Sequence, residues 1–384
     1  MANKQVPMYR EIEQYIMTQI RCNKWPPLSR IPSENELSEQ FQVSRITVKN
    51  ALSNLVDNGI VFRQQGKGTF VSADHHIALD NLYSKMGGES RKRTIGFLMP
   101  RLDNHFTANV LSGIEDELSK ADYRMLFSKT NDSQQDEIVK IKDMMEAQVD
   151  GLIIYPVEGE NYNSEILSLT LSKFPLVLVD RTLKGLDTSS VSSDNFEASV
   201  MAVNHLHEHG HTSIGIISSR ADGTSSIEDR IAGYEQGLEN HGILIDRSLQ
   251  LSNLTFDMTE EEISGQVHKF LNDHPQLSAI IVSYFGPHVI RAAIEAGRRV
   301  PEDLSVILFD DIPYADFSLV PPTVVAQQER EIGREAARHI IEQIEQGQHI
   351  WRRIKLPATL IPRGSTGPAR SLSELDYDQS LQAN

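Results

Sequence analysis

Apolar positions recur at helical spacing from the start of the chain. Tyr9, Ile12, Ile16 and Ile20 share one face and predict a helix over 6–20. A connector carrying Pro26, Pro27 and Pro32 follows. Leu37 and Phe41, four apart, predict a second short helix that Ser33 is placed to cap. Gln42-Val43-Ser44 reads as a turn, and Ser44 as the cap of a third helix whose Val48, Leu52 and Leu55 lie on one side. Beyond Asn58-Gly59 two β runs, Ile60-Val61-Phe62 and Thr69-Phe70-Val71, flank Gln64-Gln65-Gly66-Lys67-Gly68. That pattern predicts a hairpin, so the segment reads as a winged helix-turn-helix.

From Thr94 the pattern changes. TIGFLMP, RMLFSKT, DGLIIYP and PLVLVDR are apolar strand runs, separated by helical stretches at about 108–121, 134–147 and 164–173. Near-continuous apolar strands alternating with helices predict a parallel sheet covered on both faces. A second round begins near Val191, with helices at 197–209, 227–240, 259–273 and 288–296. Its strands are expected at 213–219, 249–251, 279–282 and SVILFDD, with a last helix at 330–346 and a return strand at 353–360. The fold class is therefore α/β: an N-terminal winged helix-turn-helix plus a two-lobed, doubly wound parallel-sheet domain. The expected boundaries are 1–73 for the head, 74–93 for a linker with a helical piece at 77–86, 94–363 for the two-lobed body, and 364–384 for a disordered tail.

Charge sharpens this division. Residues 1–93 hold thirteen Lys and Arg against nine Asp and Glu, near +4, so the rest carries about −20 of the total −16. A basic head on an acidic body suits local contact with DNA while the body stays off the phosphates. One cysteine, Cys22, excludes an internal disulfide framework. His205, His207, His209 and His211 alternate and do not share a helix face, so no metal is expected there, and no cofactor elsewhere. No eighteen-residue apolar run exists and the N-terminus is polar, so a cytoplasmic protein without a membrane span is expected.

The third helix presents Arg45, Thr47 and Lys49 away from its apolar side, as a helix entering a major groove requires. The pattern IPSENELSEQF-x-VSR-x-TV-x-x-AL, followed by Q-G-x-GTFV, resembles the GntR family of bacterial regulators over residues 8–72. The resemblance implies that Arg30, Ser33, Glu34, Ser44, Arg45, Thr47, Lys49, Gln65, Gly66, Lys67 and Gly68 meet operator DNA. Lys49 stands where the family often carries Arg, and lysine lacks the guanidinium fork.

In the body, charged residues stand at the expected strand ends, Arg101 to Phe106, Asp180-Arg181 and Asp310-Asp311, with Asp194-Asn195 before a helix and Arg230 opening another. Carboxylate and guanidinium pairs chelate hydroxyls and an aromatic such as Phe106 stacks on a sugar face, which fits a polyhydroxylated ligand. TIGFLMP, DGLII, VDR, SSDN-x-x-A, R-I-A-GY and RVPEDLSVILFDD resemble the LacI/GalR effector domain, related to periplasmic sugar-binding proteins, over 94–363. That resemblance implies a homodimer with Asp180, Arg181, Asp194, Arg230, Asp310 and Gln327 around a sugar. The combination resembles the arabinose-responsive repressors of Gram-positive bacteria. It implies a repressor of sugar-utilisation genes, released from operator DNA by a small sugar. Where that family usually places Asn-Asp, this chain has Ser283-Tyr284-Phe285-Gly286. Either Tyr284 and Phe285 stack on the effector or the effector is not arabinose. The alternative, a sugar-active enzyme on a doubly wound fold, lacks a phosphate-cradling glycine turn after any strand.

Overall fold

A computed structural model describes residues 7–21, 24–73, 92–159, 163–183, 185–312, 318–347 and 351–370. The chain divides into two compact units, Met1–Lys92 and Arg93–Asn384. The expected linker at 74–93, with its helical piece, lies outside the described residues apart from 92 and 93.

The head contains α1 (Met8–Arg21), α2 (Glu34–Phe41), α3 (Arg45–Asp57), β1 (Val61–Gln64) and β2 (Gly68–Val71). Ile12, Ile16, Ile20, Leu37, Val48, Leu52 and Leu55 meet in one core with Val61 and Val71 of the hairpin. Ser33 and Glu36 form a reciprocal capping box on α2, and Ser44 Oγ accepts from the Thr47 amide at 3.2 Å on α3. Between them Gln42 takes a left-handed conformation that turns the chain. The hairpin pairs Val61 with Val71 through Gln64 with Gly68, and Ile31 N–H donates to Thr69 O at 3.0 Å, tying the connector to the wing.

The body has two six-stranded sheets. The first runs β13-β7-β6-β5-β3-β4, with β3 (Thr94–Met99), β4 (Arg124–Lys129), β5 (Gly151–Ile154), β6 (Leu176–Val179), β7 (Ser189–Ser193) and β13 (Arg353–Leu356), all parallel. The second runs β14-β12-β11-β10-β8-β9, with β8 (Ile214–Ser219), β9 (Gln250–Leu254), β10 (Ala279–Val282), β11 (Ser305–Phe309), β12 (Thr323–Ala326) and β14 (Thr359–Ile361). Only β14 is antiparallel to its neighbour. Strands β5, β6, β8, β10 and β11 are buried along their whole length, as expected for sheets with helices on both faces.

Three expectations are corrected. The strand around Val191 lies in the first sheet, between β6 and β13, rather than opening the second lobe. The single return strand is two, β13 in the first sheet and β14 in the second, separated by Pro357-Ala358, so this stretch ties the lobes together. The body also extends past 363. Ser365 is buried and donates to Val306 O, while Ala369 N–H donates to His209 O at 2.8 Å. Polar composition concealed this packing, because these residues are held by hydrogen bonds rather than by apolar burial. The remaining tail, 371–384, lies outside the described residues.

The helices that flank the first sheet, α4 (His105–Lys120) and α11 (Glu329–Gln346), cross in backbone contact. A Cβ on Gly333 would stand 2.2 Å from Val110 O, and one on Gly113 would stand 2.0 Å from Arg330 O. Gly333→Ala should therefore destabilise the body by about 1–3 kcal/mol through overpacking. Gly265→Ala, in the helix α9 (Glu260–Asp273) with open space around it, should stabilise by roughly 0.5–1 kcal/mol. Urea melts of the two variants check the contrast, and equal midpoints would refute it.

Candidate DNA interface and effector cleft

On the head, Arg45 and Lys49 are exposed on α3, and Gln65, Gly66 and Lys67 are exposed at the tip of the wing. Thr47 Oγ1 lies 2.9 Å from Ser44 Oγ, so the two hydroxyls form one polar edge at the start of α3. The Arg30 guanidinium lies along Gly68, where a Cβ would come within 2.8 Å of its Nε, and Gly68 has φ +122°. Only glycine accommodates both that backbone and that neighbour. Ser33 is engaged in its capping box, and Glu34 accepts from Arg63 at 3.1 Å, joining α2 to β1. Glu34 thus anchors another cation beside the wing. Two residues escaped the sequence reading: Arg63, and Ile46, which is 71% exposed in the first turn of α3. An apolar residue exposed between Arg45 and Thr47 was the available signal.

In the body, loops at the carboxyl ends of the strands face one another between the lobes, the usual position of ligands in open α/β sheets. Asp180, Phe285 and Asp310 follow β6, β10 and β11 and have φ of 65°, 68° and 67°. A left-handed backbone costs a non-glycine residue on the order of 1–2 kcal/mol, and here it recurs at three strand ends of the same cleft.

Arg230, in α8 (Ser225–Asn240), is fully buried. Its Nε donates to Asn195 Oδ1 at 2.8 Å and its Nη1 to Ser283 Oγ at 2.7 Å, and it stacks 4.1 Å from the Phe309 ring centroid. Asn195 belongs to α7 (Asn195–Glu208), so Arg230 binds α7 and α8 to the end of β10. Asp310 accepts from Gln327. From the first lobe, Arg181 donates to Pro156 O and to Glu158 Oε1, both at 2.8 Å, with its guanidinium 4.8 Å from the Tyr155 ring. Asp180 Oδ2 and Arg181 Nε are 3.7 Å apart, too far for a hydrogen bond. Both atoms, and Gln327 Oε1, are buried without a hydrogen-bond partner. They are the groups left over for a ligand.

Electrostatics crosses the cleft. Burial lifts Tyr284 to about 12, while Arg230 and Arg181 oppose that rise. Burial opposes the charge on Arg181, but Tyr155, Glu158, Tyr284 and Asp180 outweigh it and raise its pKa. Burial raises Asp310, with Arg230 and Gln327 holding it down and Asp180 adding to the rise. Glu329, at the start of α11, is pushed up to about 7, first by burial and further by Asp310 and Asp311. Between its ordinary value of 4.5 and about 7, the folded body binds a proton that the unfolded chain releases. That contribution to stability is present below about 4.5 and lost as the pH rises through 7. Glu329→Gln should flatten this part of the pH–stability curve and raise the melting temperature at pH 8, measured by thermal scans from pH 4.5 to 8.

The fold brings together Asp180, Arg181, Arg230, Tyr284, Asp310 and Gln327. Three other candidates border this group and are also held by core packing or capping. Phe106 belongs to the first lobe's core and meets Tyr155 edge-on at 6.1 Å. Phe285 packs on the second lobe's core. Asp194 caps α7 and lies 3.7 Å from Lys355 of β13, at the crossing between lobes. Sequence reading missed Tyr155, Glu158 and Glu329 in this cluster, and named Asn195 only as the neighbour of Asp194 and Ser283 only as the start of the 283–286 departure. No spacing rule links them, because they come from stretches far apart in the chain: the loop after β5, the start of α7, the end of β10 and the start of α11.

Residues 8–71 match the bacterial regulatory proteins of the gntR family, and residues 203–366 match the periplasmic binding protein-like domain. The HTH-type transcriptional repressor CytR of Escherichia coli K12 is 30% identical over 286 residues, 72% of this chain and 80% of that one. The chain belongs to the GntR/LacI-type transcriptional regulators. The arabinose metabolism transcriptional repressor of Geobacillus stearothermophilus is 26% identical over 352 residues, covering 90% of the regulator and 93% of that protein. A LacI family regulator from Enterococcus faecium, solved with bound ribose, shares the fold with a TM-score of 0.62 at 24% identity, covering 72% of this chain and all of that one. The regulator is not an enzyme. Its head is a DNA-binding domain and its body is of the effector-binding kind. No described helix is long and apolar enough to cross a membrane.

Proposed function

We propose that the protein is a cytoplasmic homodimeric repressor of sugar-utilisation genes, and that a small sugar in the cleft releases it from operator DNA. The reading rests on the buried Asp180 Oδ2, Arg181 Nε and Gln327 Oε1, which have no hydrogen-bond partner and whose donors and acceptors suit sugar hydroxyls. Asp310, Arg230 and Tyr284 complete the lining. A pentose is the first candidate, with arabinose supported by relatives at 26% identity. Closing the lobes on the sugar changes the spacing of the paired heads. This requires the sugar to favour the released state by roughly 1–3 kcal/mol.

At the operator, Arg30, Arg45, Lys49 and Lys67 supply the cations, with Ser33, Glu34, Ser44, Thr47, Gln65, Gly66 and Gly68 shaping the contact. Ile46 adds an apolar contact suited to a thymine methyl. Replacing single thymines of the half-site by uracil should weaken wild-type binding at one position about threefold or more and leave Ile46→Ala indifferent there. A wild type insensitive at every position would remove Ile46 from recognition. The function itself is tested by gel shifts on DNA upstream of its own gene, titrated with pentoses and hexoses. Retardation that no sugar alters at millimolar concentration would defeat the sensor reading.

A further inference from the structure

Arg101 lies in the loop after β3, in the first lobe, and Phe256 in the loop after β9, in the second. The Arg101 guanidinium sits 3.8 Å from the centroid of the Phe256 ring, and its Nε is ion-paired with Asp132, in the turn after β4. Phe256 rests in turn on Tyr284, edge-on at 5.1 Å, and on Phe285 at 5.3 Å. The strand orders place these loops deliberately. In the first sheet β3 lies between β4 and β5, and in the second β8 lies between β9 and β10. Winding reverses at β3 and β8, and a crevice opens there at the carboxyl ends; Arg101 follows β3 itself, and Phe256 follows β9, the edge strand beside β8. The contact therefore spans the mouth of the cleft, while Arg230 and Arg181 belong to its lining.

Resting on the reading of the cleft as the effector site, we propose that Arg101 is a positioning residue that latches the lobes over the bound effector, with Phe256 as its seat. A planar cation on an aromatic face, fixed from behind by a carboxylate, makes a contact that holds only when the lobes are closed. Asp132 keeps the guanidinium aimed while the cleft is open. Tyr284 and Phe285 keep the ring upright, which gives the aromatic pair at 284–285 a use besides stacking on the sugar. The latch governs escape rather than entry, because the ligand enters while the lobes are apart, whereas a bound ligand leaves only after a latch that also forms without sugar has opened.

The test has two arms on the full-length protein. The first needs no sugar: hydrogen exchange of backbone amides at 101–104 and 255–258. Arg101→Ala should speed exchange about tenfold on both sides of the cleft, and unchanged exchange at 255–258 would overturn the latch. The second uses L-arabinose, D-ribose and cellobiose as probes in stopped-flow kinetics. For a probe that binds the wild type, Arg101→Ala and Phe256→Leu should each raise the dissociation rate about tenfold and leave association within twofold. Arg101→Lys, which keeps charge without the plane, should fall between. The double variant should release the sugar no faster than either single variant. Rates that multiply in the double variant, or association slowed as much as dissociation is speeded, would overturn the proposal. If no probe binds the wild type, the sugar reading fails, and the exchange arm still decides the latch.

Discussion

Arg230→Ala is expected to give a regulator that grips its operator and ignores its effector. Arg230 lies in the body, 1% exposed, and donates to Asn195 and Ser283 while facing Asp310. Removing it leaves two buried polar groups without their donor, at about 1–3 kcal/mol each. It also leaves Asp310 without the strongest influence holding its pKa down, so this carboxyl becomes protonated more readily. A protonated, displaced Asp310 accepts fewer bonds from a sugar. Together the losses should weaken effector affinity a hundredfold or more, about 3 kcal/mol. The checks are titration calorimetry with the sugar that moves the wild type and a gel shift showing full retardation at saturating sugar. Circular dichroism melts show whether the body stays folded, and Arg230→Lys, retaining the charge, supplies a milder variant. Release at the wild-type sugar concentration would remove Arg230 from the site.

Arg45→Ala is expected to do the reverse, abolishing specific operator binding while effector affinity stays unchanged. The side chain is exposed in the first turn of α3, whose start is fixed by Ser44 and whose far side is buried through Val48 and Leu52. A bidentate guanidinium contact to a base is worth about 1–3 kcal/mol, and the proposed dimer makes it twice. Specific affinity should fall between about thirtyfold and twenty-thousandfold, with weak, salt-dependent binding to any duplex remaining. Arg45→Lys keeps the charge and should restore the non-specific part better than the specific part. A salt series on operator and scrambled duplexes separates the two, and undiminished preference for the operator would refute the assignment.

The head was almost wholly legible. Its elements are short, their caps are local, and the apolar spacing in Ile12, Ile16, Leu37, Val48 and Leu52 maps directly onto one core. Side chains facing away from such a small core are exposed by default, which is why Arg45, Lys49 and Lys67 fell where the pattern placed them. In the body the apolar strand runs and the helices between them were also legible, to within a few residues at their ends. The cleft was legible only in part. Asp180, Arg230, Asp310 and Gln327 were reached through motifs, whereas Asn195 and Ser283 enter because the packing of α7 and α8 on the end of β10 brings them to Arg230, and Tyr155 because β5 and β6 are neighbours and set it beside Arg181.

Sequence alone determined the division into a basic reading head and an acidic α/β body, because charge balance and hydrophobic period are properties of neighbouring residues. Tertiary structure decided which strand ends meet, that 353–361 divides between two sheets, that Phe106 and Phe285 serve cores, and that Arg101 reaches across to Phe256. The physical reason is separation along the chain. Arg101 and Phe256 belong to different lobes, and Arg230 binds residues 35 before and 53 after it. Such partners are chosen by how the sheets wind and where helices cross, and no local period records that choice.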